Sequence, residues 1–600
     1  MQTFTENASP EQGPPRLGQL QNLLRIKGVA AAIVPRTDIH QGEYVASCDE
    51  RLAWLTGFTG SAGFCVATRD KAAVFADGRY RTQVRAQVDT DFFEPVDWPE
   101  TGLADWLAKN LPDGGDVSYD GWLHTADEIE KLRKRVEVKG IKFVCHGNLI
   151  DLIWAEKPDP PNGLVRIQPD NLAGESHKSK RERLAGELRE AGHAAAAITL
   201  ADSIAWLLNI RGADIPRNPV VHAFAILHDN ARVTLFVDDK KLNKEVIAHL
   251  GEDVDILPYS DFTSFPVKLD GALRIDKSTA PERLSWLVGN MESGRFEWGD
   301  DPCILGKARK NRVEISATRE AHLRDGAAVC EFLAWFDNQP PGTITEIDVV
   351  KSLENCRRAT NMLLDISFDT IAGSGPNGAM PHYRVTETSN RMLQDGELLV
   401  LDSGGQYEDG TTDITRTLPV GNVNEEERIA FTRVLQGMIA VSRLRWPRGL
   451  TGRDLDAIAR YPLWLADHDY NHGTGHGVGV ALCVHEGPQR LSRKSEIPLD
   501  PGMIISNEPG FYKEGRYGIR TENLVVVAEA IPLEGATGTD KLCFKTLNFV
   551  PIDRRLIARE MLSDGERKWL DDYHADCLKK IEPRLSESAR KWLNWATSPI

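Results

Sequence analysis

The first half of the chain repeats one pattern of apolar and polar positions. Residues 17–34 predict an amphipathic helix followed by an apolar strand, and residues 181–200 predict the same pair again. Helix and strand signals alternate within each copy, and a Pro-rich segment at 158–161 separates the copies, which predicts two similar layered α/β domains. Two short segments also recur in the same order: LAWL at 52–55 as IAWL at 204–207, and VFAD at 74–77 as LFVD at 235–238.

The second half has a different pattern. Residues 311–336 carry apolar side chains at helical spacing and predict a long amphipathic helix. Short strands and Gly-rich turns alternate from 367 to 551, interrupted by a predicted helix at 425–444, and a helical pattern returns after residue 556. We therefore predict three domains, the last with a helical C-terminal extension. Their predicted bounds are 1–158, 159–310 and 311–600.

Composition narrows the classes of function. The 600 residues include 72 Lys and Arg against 88 Asp and Glu, a formal charge of −16, and no long basic stretch, which argues against nucleic acid or an anionic membrane as a partner. Neither a membrane span nor a signal peptide is predicted, because the longest apolar runs are short and the N-terminus is polar. The nine scattered cysteines favour reduced thiols over a disulfide framework or a structural zinc site. We expect a cytoplasmic protein.

An acidic residue ends an apolar strand within 398–418. The run Leu398–Leu401 leads directly into Asp402, and Asp413 follows a turn that contains Asp409-Gly410. The midpoint between residues 402 and 413 lies inside that turn, so a hairpin folded there places the two carboxylates opposite each other, roughly 5 Å apart. Like charges this close repel, and a bound cation is the simplest compensation.

The same arrangement recurs a hundred residues later. Glu508 and Glu522 have their midpoint at Gly515, within the turn at 513–516, and apolar strand residues flank both acids. One such hairpin is commonly a surface feature, whereas two of them within apolar strands predict a site.

Three histidines separated by glycines lie between the two hairpins: His472, His476 and His485. Glycine lets backbone and side chains crowd into a small volume. Imidazole together with four carboxylates suits a divalent ion such as Mn²⁺, Co²⁺ or Zn²⁺, and does not suit a thiolate-rich structural zinc site. Four carboxylates balance two such ions, which can hold a shared hydroxide and polarise a carbonyl. The constellation therefore predicts a hydrolase.

Several motifs carry a resemblance that extends over nearly the whole chain. They are GEYVASCDERLAWLTGFTGSAG, FADGRY, ADSIAWLLNIRGAD, GSGPNGAMPHY, LDSGGQYEDGTTDITRT, GTGHGVG, VHEGP and NEPGFY. Together they resemble the three-domain Xaa-Pro aminopeptidases, a branch of the pita-bread metallopeptidases. The resemblance implies two creatinase-like α/β domains followed by a pita-bread catalytic domain. It also implies removal of the first residue from peptides with proline at the second position, two divalent metal ions, most often Mn²⁺, and a homodimer.

The resemblance also implies roles for residues at matching positions. Asp402 would chelate one ion and His476 with Glu508 the other, while Asp413 and Glu522 would bridge them. Glu508 would also act as the general base. The five ligands keep the order in which they occur in that family.

The implied substrate-binding residues are Arg79, His382, His472, His476, His485 and Arg520. Of these, His382 and His485 would hold the substrate carbonyl and stabilise the oxyanion, and His472 would wall the proline pocket. Arg79 would contact substrate and Arg520 would orient ligands, although either arginine could instead simply pair with a nearby acid. Pro381 is a local departure, since relatives commonly carry an aliphatic residue there.

Two alternatives stay open at this point. A prolidase would be restricted to Xaa-Pro dipeptides, but prolidases typically lack the second N-terminal copy. A non-catalytic binding protein on the same fold would be expected to have lost several of the five ligands, all of which this chain keeps.

Overall fold

The computed structural model describes residues 2–136, 140–264, 269, 271–291, 294–538 and 540–600. Contacts divide the chain into two compact units. One comprises residues 7–304, and the other comprises residues 305–600 with the first few residues of the chain. Each unit is described by itself.

The first six-stranded sheet of unit 7–304 has the strand order β4-β3-β2-β1-β5-β6. Alternate residues of β1 face opposite sides: Ala32 and Val34 pack with the helix α1, and Ala31 and Ile33 pack in the cluster that contains Leu107 of α4. Helices therefore cover both faces, as the alternating pattern predicts. The elements are α1 (Gly13–Ile26), β1 (Ala31–Pro35), α2 (Arg51–Thr56), β2 (Phe64–Thr68), β3 (Ala72–Ala76), α3 (Arg81–Gln87), β4 (Glu94–Asp97), α4 (Leu103–Asn110), β5 (Gly115–Tyr119), α5 (Ala126–Val136) and β6 (Ile141–Cys145).

The second sheet repeats the first. Its strand order is β12-β11-β10-β8-β13-β14, and its neighbouring strands pair parallel or antiparallel in the same succession as in the first sheet. The recurring sequence segments fall on equivalent elements, α2 with α8 and β3 with β11, so the predicted duplication is confirmed. The elements are β7 (Arg166–Ile167), α6 (Asp170–Ala173), α7 (His177–Glu190), β8 (Ala195–Ile198), α8 (Ala201–Leu207), β9 (Ile210–Arg211), β10 (Phe224–His228), β11 (Val233–Phe236), α9 (Lys244–Leu250), β12 (Val254–Leu257), β13 (Leu273–Ile275), α10 (Glu282–Gly289), β14 (Phe296–Trp298) and α11 (Cys303–Ala308).

The described residues of unit 305–600 include six α-helices that begin and end within it. They are α12 (Arg312–Phe336), α13 (Glu346–Arg358), α14 (Glu425–Ser442), α15 (Gly452–Trp464), α16 (Asp564–Ile581) and α17 (Glu587–Ala596). The predicted long helix, the interrupting helix and the helical tail are confirmed. The helix α15 lies in a region predicted to hold only strands and turns; its start is a capping box of Thr451 and Asp454, and Pro462 lies inside it.

The strands of this unit form four small sheets, with orders β15-β18-β19, β16-β17-β20, β21-β28-β27-β24-β22-β23 and β25-β26. One large core joins α12, α13, α14 and the tail helices to β16, β17 and β20. The strands are β15 (Asp365–Ile366), β16 (Ile371–Ser374), β17 (Glu397–Ser403), β18 (Gly405–Tyr407), β19 (Gly410–Thr411), β20 (Ile414–Val420), β21 (Arg445–Pro447), β22 (Gly475–Gly477), β23 (Glu486–Leu491), β24 (Ile504–Asn507), β25 (Gly510–Lys513), β26 (Tyr517–Arg520), β27 (Asn523–Glu529) and β28 (Lys541–Thr546).

Candidate metal centre

The first hairpin brings Asp402 and Asp413 to the same face, but not directly opposite each other. The residue paired with Asp402 is Thr415, and Asp413 lies two positions before Thr415. The predicted register was therefore wrong by two residues. Tyr407 pairs with Gly410, so the loop consists of Glu408 and Asp409 and its centre lies one residue beyond the predicted midpoint. Residues two apart on a strand face the same side, so the acids are diagonal neighbours.

The second hairpin has the register that the sequence predicts. Asn507 pairs with Asn523 on one side of the acids and Gly510 pairs with Arg520 on the other, so one continuous register places Glu508 opposite Glu522. The main-chain N–H of Glu508 donates to Thr474, which precedes the short strand β22 with His476. The two hairpins and β22 thus meet at one place.

The acidic side chains converge on His476. Its Nε2 lies 3.5 Å from Asp413 Oδ2 and 3.4 Å from Glu508 Oε1. One potential ligand atom from each of Asp413, His476 and Glu522 lies within 4.8 Å of the others. Spacings of this size allow a single ion to contact several of these groups at once.

The carboxylates are buried close together, and Arg520 forms an ion pair with one of them, Asp402. Asp402, Asp413 and Glu522 are 8, 4 and 1% exposed, and each has one oxygen without a hydrogen-bond partner among the described residues. Burial, followed by repulsion from neighbouring carboxylates, holds the pKa of Asp413 and of Glu522 well above the usual range. Burial also raises the pKa of Glu508 to about 7. Buried, mutually repelling oxygens that lack donors fit a site for multivalent cations, and the oxygen-rich donor set fits divalent ions.

Three neighbouring groups orient the acids. Arg520 Nη2 donates to Asp402 Oδ2 at 2.7 Å, so the predicted placement of this arginine beside the ligands is observed. The Thr415 hydroxyl donates to Glu522 Oε2 at 2.8 Å, and the Ser506 hydroxyl donates to Glu508 Oε1 at 3.0 Å. Sequence reasoning missed both hydroxyls. The strand register, by which Thr415 faces Asp402, could have identified the first.

Tyr512 connects one predicted substrate residue to the acids. Its hydroxyl lies 2.9 Å from His472 Nε2 and accepts a hydrogen bond from Arg520 Nη1 at 2.6 Å. Arg460 holds the other side of the same loop by donating to the carbonyl of His472 at 2.7 Å. His472, Tyr512, Arg520 and Asp402 therefore form one continuous chain of contacts. Neither Tyr512 nor Arg460 was predicted from the sequence.

Of the other predicted substrate residues, His485 and His382 lie near the metal-ligand candidates, and Arg79 belongs to the other unit. The His485 ring packs edge-on against His476 with centroids 4.3 Å apart. His382 is half-buried and follows Pro381, whose carbonyl accepts from Arg520 at 3.2 Å. Arg79 belongs to unit 7–304, where its guanidinium pairs with Asp77 at 2.8–3.2 Å.

A second group of potential ligands, in unit 7–304, differs in its charge balance. Asp38, Asp49 and His222 also have one donor atom each within 4.8 Å of the others. Here Asp49 pairs with Arg51, and Asp38 accepts from the main-chain N–H of His40 and lies 3.2 Å from His222. These acids already have partners, so this cluster does not share the unbalanced charge of the first.

Comparison with known proteins agrees with this geometry. A model of metallopeptidase family M24 matches residues 316–529. A probable Xaa-Pro aminopeptidase P of Neosartorya fischeri is 38% identical over 610 residues, which covers 98% of this chain and 92% of that relative. The chain belongs to metallopeptidase family M24. Creatinase/Prolidase N-terminal domain models match 16–153 and 156–314 of this M24 chain, and a model of the C-terminal region of the family matches 540–600.

Two solved structures resemble this M24 chain, one over nearly its whole length and one over part of it. An X-prolyl aminopeptidase of Caenorhabditis elegans, a cytosolic enzyme with a di-nuclear active site, matches with a TM-score of 0.93 and 33% identity, covering 98% of this chain and all of that one. A prolidase of Pyrococcus horikoshii matches with a TM-score of 0.50 and 25% identity, covering 99% of that chain but 62% of this one. The predicted fold class is confirmed: two creatinase-like α/β domains precede a pita-bread domain. No helix within the described ranges is both long and apolar enough to span a membrane.

Proposed function

We propose that this M24 chain is a metal-dependent exopeptidase that hydrolyses the Xaa-Pro bond at the N-terminus of peptides and releases the first residue. The observation that carries the proposal is the set of buried, unbalanced carboxylates around His476. The proposed ligands of two divalent ions are Asp402, Asp413, His476, Glu508 and Glu522. By resemblance, Asp402 would hold one ion and His476 with Glu508 the other, while Asp413 and Glu522 would contact both.

The ions, when bound, polarise the scissile carbonyl and lower the pKa of a water molecule. Glu508 is the proposed general base that accepts the proton of the attacking water, a role supported by the Ser506 hydroxyl that orients its carboxylate. His485 and His382 are proposed to donate hydrogen bonds to the carbonyl oxygen as negative charge develops on it.

Selectivity for proline is assigned to shape. The Xaa-Pro amide has no N–H, so a site for it cannot depend on that donor and requires a pocket that fits the ring. His472, held by Tyr512, is the proposed wall of this pocket, and its fixed orientation supports the role. Arg79 is the proposed substrate contact from unit 7–304.

Mn²⁺ is the proposed native ion, with Co²⁺ and Zn²⁺ as alternatives. Four carboxylates and one imidazole give the oxygen-rich donor set that Mn²⁺ accepts. Cytoplasmic location is proposed from the similarity to the cytosolic enzyme of Caenorhabditis elegans.

A homodimer is also proposed. Three large apolar side chains at the end of α15 are exposed, and this end is the proposed contact between copies. They are Tyr461 at 60%, Trp464 at 41% and Leu465 at 67% exposure. Light scattering should give twice the chain mass of 66.7 kDa for the native protein, and the mass of one chain for Leu465→Glu.

The prolidase alternative is less well supported. The prolidase of Pyrococcus horikoshii matches 62% of this chain, so more than a third of the chain has no counterpart in it. A non-catalytic binding protein is disfavoured because all five proposed ligands are kept and three of the four acids, Asp402, Asp413 and Glu522, are buried.

Peptide cleavage tests the proposal. Chelator-stripped protein reloaded with Mn²⁺ should release the first residue from Arg-Pro-Pro in a metal-dependent reaction and spare Arg-Ala-Pro. Cleavage of Arg-Pro alone would indicate a prolidase. If two Mn²⁺ ions bind and none of the three peptides is cut, the proposed substrate class is wrong.

A further inference from the structure

One buried amide links the strands that carry two of the proposed ligands. Asn548 follows β28 and is 3% exposed. Its Nδ2 donates to the main-chain carbonyl of Asp413 at 2.9 Å, and its Oδ1 accepts from the main-chain N–H of Leu524 at 2.6 Å. Leu524 lies two residues after Glu522. A single side chain thus connects the backbones that present Asp413 and Glu522, in addition to the direct hydrogen bond from the main-chain N–H of Glu522 to the carbonyl of Thr415.

A buried arginine makes a second connection between the same strands. Arg416 of β20 is 3% exposed, and its guanidinium is surrounded by neutral oxygens. Nη1 donates to the main-chain carbonyl of Glu522 at 2.6 Å, and Nη2 donates to Asn523 Oδ1 at 2.9 Å. Among the hydrogen bonds of the described residues, those of Arg416 go to carbonyl, amide and phenol oxygens, so its role in binding the β27 segment does not depend on an ion pair.

The tail helix α16 holds this arginine in place. The Tyr573 hydroxyl, 2.9 Å from Arg416 Nη2, accepts its hydrogen bond and itself donates to the Val550 carbonyl at 2.8 Å. Arg416 Nη2 also donates to that carbonyl at 2.7 Å. The residues that complete the network, Asn548, Val550 and Tyr573, all lie in the C-terminal region matched at 540–600.

We propose that Asn548 and Tyr573 are positioning residues through which the C-terminal region sets the separation of Asp413 and Glu522 in the metal centre. This inference rests on the proposed function. Two carboxylates that repel when no ion is present must be held at the spacing an ion requires, and outer groups that hold ligands in this way typically change metal affinity about 10–100-fold when removed. A merely structural pair would lower stability and leave the affinity of the folded protein for metal unchanged.

Calorimetric titration of chelator-stripped protein with Mn²⁺ tests the inference. For Asn548→Ala we expect binding of at least one of the two ions to weaken about 10–100-fold, because both of its hydrogen bonds to the ligand strands are lost. For Tyr573→Phe, which keeps the ring and loses only the hydroxyl, we expect a smaller weakening of about threefold to tenfold. The control is Asn338→Ala at an exposed position, which removes an amide that donates to the main-chain carbonyl of Ala334 in α12, far along the chain from the ligands.

The outcomes separate this inference from the proposed function. If the native protein binds no Mn²⁺, the proposed function fails. If the native protein binds two ions and both variants match Asn338→Ala within twofold, the positioning role is wrong. Should Asn548→Ala fail to fold, Tyr573→Phe decides. Recovery of Arg-Pro-Pro cleavage at high Mn²⁺, with KM for the peptide unchanged, would further support positioning of the ions over direct contact with substrate.

Discussion

Two buried carboxylates in the same unit have opposite surroundings. Asp325 of α12 is 2% exposed and fully partnered: Arg357 donates to both of its oxygens, at 2.8 and 3.1 Å, and Tyr407 donates at 2.7 Å. Asp413 is 4% exposed, and one of its oxygens has no partner among the described residues. Burial alone would raise the pKa of both. Arg357 reverses the effect at Asp325, whose pKa is lowered, whereas acidic neighbours add to it at Asp413.

The contrast distinguishes an acid that the protein itself neutralises from one that we propose binds metal. At Asp325 the protein itself supplies the counter-charge, and the product is a rigid anchor for the tip of the hairpin that carries Asp402 and Asp413, since Tyr407 belongs to β18. At Asp413 we propose that bound metal ions supply the counter-charge. Burial and charge are therefore shared by both sites, and only the presence or absence of a partner distinguishes them.

The largest expected effect is on catalysis at the unbalanced acid. Because Asp413 is proposed to act as part of a unit with the other ligands, Asp413→Asn should lower kcat/KM for Arg-Pro-Pro by about a thousandfold or more. Initial rates at saturating Mn²⁺ measure this. Asp325→Asn is the matched control, with a loss expected to be far smaller; equal losses in the two variants would contradict the distinction.

The next effect is on stability at the balanced acid. Arg357→Met leaves Asp325 buried without its counter-charge, and removal of one partner of a buried pair typically costs about 3–5 kcal/mol. Guanidinium titration of the metal-free protein measures the change. The exposed pair of Arg584 and Glu320 provides the control, because Arg584→Met should cost only about 0–1 kcal/mol. A similar cost for the two arginine variants would show that burial of the pair has little influence.

Added metal should act only at the unbalanced acid. An ion that binds the native state alone stabilises it, by about 2.7 kcal/mol when its concentration is 100 times Kd. We expect Mn²⁺ to raise the unfolding temperature of the stripped native protein and of Asp325→Asn, and to have little effect on Asp413→Asn. A full shift in Asp413→Asn would place the ion elsewhere.

The sequence predicted the four acids of the candidate site, but only some of the hairpin registers and hydrogen-bonding groups that position them. The register of the second hairpin was predicted because its turn is centred on Gly515, while the first was wrong by two residues because the loop is formed by Glu408 and Asp409. The amide of Asn548 was missed because its partners, Asp413 and Leu524, are set by how separate strands pack. A local sequence pattern does not predict how separate strands pack. The Ser506 hydroxyl was missed although its partner, Glu508, lies only two residues further along the chain.

Of the other sequence predictions, the structure confirms some, contradicts others and leaves the rest untested. The duplicated sheets follow from repeated apolar segments and were predicted. The helix α15 was missed because Pro462 lies inside it and Gly452 begins it, and both residues are poor helix formers. The domain bounds at 158 and 310 stay predictions, as does contact between Arg79 and substrate.

The smallest expected effect is the pH dependence of the balanced acid. The pKa of Asp325 in the folded protein lies below its ordinary value of 3.8, so its contribution to stability is present above that value and is lost as pH falls through the folded pKa. The free energy of unfolding of the native protein should therefore exceed that of Asp325→Asn near neutral pH, and the difference should shrink as the pH is lowered below 3.8. Guanidinium titrations of the two metal-free proteins between neutral and acidic pH measure this difference. A difference that grows on acidification would mean that Arg357 does not overcome the burial of Asp325, and the two acids would then be alike in their charge balance.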